Sequence, residues 1–133
     1  MDPYDFVHLA LLAVGGELKG TTKLQKTVYF LGSLTDLAQD LGYRPHFYGP
    51  YSEEVADGVG RLRTVDFIDQ NVTTVGARDR LGFERYRYDY RLNDDGRTVA
   101  LAKTKKYQEL WLQLQAAAQR LKDAGDLDYM SLS

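Results

Sequence analysis

His46 and Tyr48 are the two side chains in this sequence best placed for proton transfer, close together in HFYGPYS (His46 to Ser52). An imidazole and a phenol can serve as acid and base. No nucleophile or orienting carboxylate stands beside them. The adjacent carboxylates elsewhere, Glu53-Glu54 and Asp94-Asp95, fall where the first turn of a helix uses negative charge. Cysteine is absent, which removes a thiol nucleophile and any zinc–thiolate set. The two histidines, His8 and His46, do not make a metal-binding constellation. No phosphate-binding glycine loop, nucleophile elbow, HExxH or calcium loop occurs. These residues predict no enzyme, no catalytic residue, no cofactor and no metal.

Phosphate chemistry is the stronger candidate. Net charge is −2, but Arg78 to Lys106 holds nine basic residues against five acidic ones. That segment is +4 and the remainder −6. Such asymmetry suits either a phosphate footprint or a solvated face of interleaved signs. The nucleic-acid candidates are Lys23, Lys26, Arg61, Arg63, Arg78, Arg80, Arg85 and Arg87.

The elements that position these groups follow from periodicity. Asp2 and Pro3 are a cap and first position for a helix carrying Phe6, Val7, Leu9, Leu11 and Leu12, ended by Gly15-Gly16. His8, among apolar neighbours, reads as a hydrogen-bonded histidine at the core edge. Glu17 to Gly20 reads as an extended link, and Thr21-Thr22 as the cap of a second helix. Leu24, Val28, Leu31, Leu34, Ala38 and Leu41 form its stripe, with a bend or break at Gly32-Ser33 and an end at Gly42.

The stretch from Tyr43 to Ser52 is too aromatic for an ordinary loop and too rich in turn formers for a strand. It aims a third helix, Ser52 to Arg63, with Ser52 as cap and Val55, Val59 and Leu62 on one face. Gly58 and Gly60 each cost this helix about 1 kcal/mol relative to alanine. His46, Tyr48, Gly49, Pro50, Tyr51 and Ser52 are a packed elbow or a partner surface.

Val65 to Val75 suits a strand. Phe83 to Leu92 alternates, placing Tyr86, Tyr88, Tyr90 and Leu92 opposite Arg85, Arg87, Asp89 and Arg91. That predicts a two-stranded hairpin with its tyrosines packed on helices and its basic face in solvent. A long helix follows, over residues 93–124, capped by Asn93 or Asp94. Its length invites pairing with a second copy.

The chain therefore reads as α+β, one winged-helix-like domain over residues 1–133: three N-terminal helices, a β-hairpin wing and a long C-terminal helix. The 44% apolar and 27% charged fractions are globular values. The apolar run Phe6 to Val14 is too short to span a membrane. The expectation is a cytoplasmic protein with no membrane contact, forming a homodimer.

Two motifs, TKLQKTVYFL (Thr22 to Leu31) and HFYGPYSEEV (His46 to Val55), resemble the YwgA-type family and, more distantly, the Panacea or SocA antitoxin-like domain. The resemblance covers about residues 5 to 100. It implies a winged-helix fold and a regulatory role. In that family the pattern continues past the position of Ser133.

Two functions follow. One is a DNA-binding transcriptional regulator with Ser52 to Arg63 as recognition helix and the wing arginines on phosphates. Against it stand Glu53, Glu54 and Asp57 on that helix. Also against it, the link from Gly42 to Tyr51 exceeds the about three or four residues of a helix-turn-helix. The other is a non-enzymatic protein-interaction module, antitoxin-like or adaptor, on the same scaffold.

Overall fold

Asp2 accepts from the Tyr4 N–H at 2.9 Å and starts α1 (Pro3–Ala13), with Pro3 in the first turn. Phe6, Val7, Leu9, Ala10 and Leu11 are wholly buried, so α1 is the axis of the core. Gly15 and Gly16 end it with φ of 100° and 88°, and Gly16 N–H returns to Leu11 O. Side-chain-bearing residues rarely reach that region, which is why glycine stands there.

The computed structural model describes residues 1–44, 49–74 and 86–125. After α1 come β1 (Glu17–Lys19), α2 (Thr21–Leu34), α3 (Glu53–Thr64), β2 (Ile68–Thr74), β3 (Tyr86–Leu92), α4 (Asp94–Lys106) and α5 (Gln108–Asp123). The architecture is α+β: among the described residues, five helices and a three-stranded antiparallel sheet ordered β1-β3-β2.

Several expectations need correction. The link after α1 is a strand: Leu18 pairs with Tyr90, and β1 extends the hairpin to three strands. Thr21-Thr22 does not cap α2; Gly20 holds that position without a side-chain bond. α2 ends at Leu34, at the break expected near Gly32-Ser33, so it does not run on to Leu41. Asp36 takes a φ of 60°, and Leu37 N–H bonds back to Gly32 O at 2.7 Å. Leu41 is still fully buried, but it comes back over α2, where a Cβ on Gly32 would meet its Cδ1 at 2.9 Å.

The last helix is two. Tyr107 leaves helical geometry at φ −118° and ψ 53°, and serves as the end of α4 and the start of α5. Its hydroxyl donates to Asp5 Oδ2 at 3.0 Å. The break lets α5 turn Leu114, Ala117, Ala118 and Leu121 into the core. Leu101 and Leu112 remain exposed.

The sheet splits the expected tyrosine face. Tyr90 and Leu92 are buried with Leu18 and Ile68. Tyr86, Tyr88 and Val72, which lies across from Tyr88, are 57%, 41% and 56% exposed. Alternation set which residues share a face, not how many of them are covered. Among the described residues, no helix is long and apolar enough to cross a membrane.

Candidate functional site

The elbow before α3 is built on α2. Gln25, 2% exposed, faces Ser52, 1% exposed. Gln25 Oε1 accepts from Ser52 N–H and its Nε2 donates to Ser52 O, both at 3.0 Å. Ser52 Oγ donates to Leu41 O and accepts from Val55 N–H at 3.0 Å, so the expected cap is in place. Tyr51 pairs with Arg44 through an antiparallel bridge. Gly49, φ 116°, lies under Lys26, whose Cε would come within 3.2 Å of a Cβ there. Tyr43 donates to Gln25 O at 2.9 Å, and burial pushes its phenol far above the ordinary range. Ser52 is therefore part of a packed support for α3, with Tyr51 tied to Arg44 beside it. His46 and Tyr48 lie outside the described residues.

A second cluster joins α1, α3, α4 and α5. Gly58 lets α3 approach α1, since a Cβ would stand 3.2 Å from Tyr4 Cα. Arg61 lies over the Tyr4 ring at 4.3 Å, with Nη1 3.5 Å from Asp2 Oδ2. Lys103 Nζ is 4.1 Å from the same ring centre and 2.8 Å from Asp5 Oδ1. Burial works to raise the Asp5 carboxyl, but Lys103 and the Tyr107 hydroxyl outweigh it and hold it below the usual range. Burial raises the Tyr4 phenol, against the field of Arg61.

His8, fully buried, stacks on Phe67 at 5.6 Å between ring centres and donates from Nε2 to Gly96 O at 2.7 Å. Its Nδ1 has no partner among the described residues. Burial holds the imidazole down at about 4, with Lys103 adding to the effect against the Gly96 carbonyl and Asp5. The expected hydrogen-bonded histidine is therefore inside the core and neutral. Neither cluster contains a nucleophile beside a base. Among the described residues, no group of three or more histidines, cysteines or carboxylates is arranged to hold a metal.

An open cleft of about 1110 Å³ lies between α3 and β2. Arg61, Arg63 and Thr64 line it from the end of α3, Gln70 and Asn71 from β2, and Arg91 from β3. Asp57 and Asp69 line it too. Exposed Glu53, Glu54 and Asp66 lie beyond it on α3 and the following turn. Arg91 stands across the ladder from Asp69.

Of the basic candidates, the structure brings Arg61 and Arg63 together. Lys23 and Lys26 stand on α2, outside the cleft. Arg87 is 2.7 Å from Asp89 on its own strand. Arg78, Arg80 and Arg85 lie outside the described residues. Sequence reasoning missed Gln70 and Asn71, whose strand gave no sign of facing a helix, and left out Arg91 although its alternation with Arg87 was visible.

The hydrogen-bond phase of the sheet decides which groups β2 offers. Leu92 N–H donates to Gly16 O at 2.8 Å, and Tyr88 O accepts from Gly20 N–H at 2.9 Å. Even-numbered residues of β3 therefore turn their backbone toward β1, and odd-numbered ones toward β2. The register matches Asp69, Asn71 and Thr73 with Arg91, Asp89 and Arg87. Those β2 residues bond inward. Gln70 and Val72, between them, turn N–H and C=O away from the sheet.

No family model matches the chain, and no curated protein or solved structure shows significant similarity to it.

Proposed function

We propose that this chain is a non-enzymatic protein-interaction module on a winged-helix-type scaffold, with the cleft between α3 and β2 as its working surface. The scaffold reading is supported by the element order, helices followed by the antiparallel pair β2 and β3, with β1 completing the sheet.

The observation that carries the functional reading is the mixed charge around the cleft, where acidic groups are interleaved with the arginines. Arg61 is engaged by Asp2 and Tyr4, Arg87 by Asp89, and Arg91 faces Asp69 across the ladder. Glu53, Glu54, Asp57 and Asp66 add negative charge along α3 and the turn after it. A nucleic-acid surface needs cations that displace counterions from phosphates. A protein interface accommodates both signs at its rim, with arginine and tyrosine enriched.

The second reading, a DNA-binding transcriptional regulator, is favoured by one feature. Arg61, Arg63 and Arg91 share the cleft with Gln70 and Asn71, the side chains that read phosphates and base edges. Fluorescence anisotropy with a labelled duplex of about 30 base pairs, titrated in salt, separates the readings. The interaction module gives no binding at physiological ionic strength. Steeply salt-dependent binding that Arg63→Ala with Arg91→Ala abolishes would overturn it in favour of the regulator.

A further inference from the structure

We infer that the outer edge of β2 takes up an extended, carboxylate-bearing segment of another protein as a fourth strand, seated in the cleft beside α3. This rests on the interaction-module reading and names its partner.

Three observations lead there. The first is the lining of the cleft, which includes Ile68, Asp69, Gln70 and Asn71 in succession. One face of a strand supplies only every second residue. Four in a row mean that the cleft opens on the backbone edge.

The second is the state of that edge. Gln70 and Val72 direct their N–H and C=O outward, as the phase of the ladder requires. Among the described residues, no backbone hydrogen bond outside the sheet reaches β2. The strand runs seven residues in unbroken register from Ile68↔Leu92 to Thr74↔Tyr86. It carries no proline, no lysine and no bulge, and its single charge, Asp69, is on a residue that bonds inward. An unprotected edge of this length is a template for another strand.

The third is the opposite wall. Arg61 and Arg63 project from the last turn of α3, and Arg91 from β3; Arg61 is held by Asp2, while Arg63 and Arg91 make no ion pair among the described residues. Those two guanidinium groups are complementary to an acidic side chain on the incoming strand. Backbone pairing supplies affinity, and the arginines supply register and selectivity. A second copy of the chain fits less well. Its β2 brings one carboxylate, Asp69, which stands across the ladder from its own Arg91.

The test uses the full chain and a random twelve-residue peptide library displayed on phage. Peptides rich in β-branched residues and carrying Asp or Glu are the expected selection. Two measurements then locate them. In the unmodified protein, peptide should slow amide hydrogen exchange at Gln70 and Val72 at least tenfold, with little change at Asn71, which already bonds inward. Val72→Pro removes an outward N–H without touching the β2–β3 ladder, as edge strands tolerate. It should weaken peptide binding at least tenfold, and Arg63→Glu should weaken it for acidic peptides alone.

Peptides that need Arg63 yet leave the Gln70 and Val72 amides unchanged would overturn strand addition while keeping the interaction module. Failure to select any peptide, with salt-dependent duplex binding instead, would overturn both. A dimer by light scattering that Val72→Pro dissociates would reassign the edge to a second copy.

Discussion

Gln25 grips Ser52 by both backbone groups, accepting from its N–H and donating to its carbonyl at 3.0 Å each. The side chain acts as a short piece of strand laid along the chain before α3. This contact joins KLQK to GPYS, the two motifs that stand out in the sequence. Gln25→Ala should therefore cost about 2–4 kcal/mol, since it leaves a buried N–H and C=O unpaired. Urea unfolding measures it. Gln25→Glu keeps the acceptor but sets a carboxylate against the Ser52 carbonyl, and only its protonated form can donate there. That variant should gain stability as pH falls, opposite to the parent chain.

Two glycines predict opposite outcomes. At Gly96 a Cβ would overlap the Phe67 carbonyl oxygen. Gly96→Ala must move backbone rather than a flexible side chain, and should cost about 1–3 kcal/mol or more, as overpacking does. Gly60 lies within α3 with nothing within 4 Å of its Cβ position. Gly60→Ala should stabilise by about 0.5–1 kcal/mol through helix propensity. Thermal unfolding of the two variants side by side checks the contrast.

His8 sets an acid-side slope. Its folded value of about 4 lies below the ordinary 6.5, so the unfolded chain takes up the proton first. The stabilisation is complete above about 6.5 and is lost as pH falls toward about 4. The loss is on the order of 3–4 kcal/mol at about 1.4 kcal/mol per unit. His8→Gln can still donate to the Gly96 carbonyl but does not titrate. The difference in stability between parent and variant should shrink across that interval; a constant difference would mean that His8 is already protonated when folded.

Asp5 acts at lower pH. Its carboxyl is depressed, so its stabilisation is present above the usual carboxylate value and is lost as pH falls through the folded one. Asp5→Asn should cost about 1–2 kcal/mol at neutral pH, because Lys103 is then left mostly buried without its charge partner. Asp5→Asn combined with Lys103→Met should cost less than the sum of the single changes. Denaturation of all four forms at neutral pH completes the cycle.

Local chemistry determined the starts of three helices. Asp2 before Pro3, Ser52 before Glu53 and Asn93 before Asp94 each satisfy free amides within three residues, and the sequence carries that information whole. Alternation determined which side chains of β3 share a face. A buried, hydrogen-bonded His8 was legible from its apolar neighbours.

The rest depended on partners far along the chain. Glu17 to Lys19 is a strand only because β3 arrives beside it, and Leu41 is buried because it folds back over Gly32. One helix became two where the Tyr107 hydroxyl meets Asp5. The cleft was hidden for the same reason. Whether a strand has a free edge, and whether an arginine is already paired, are set by what packs alongside, and contacts at long separation leave no periodic trace in a single sequence.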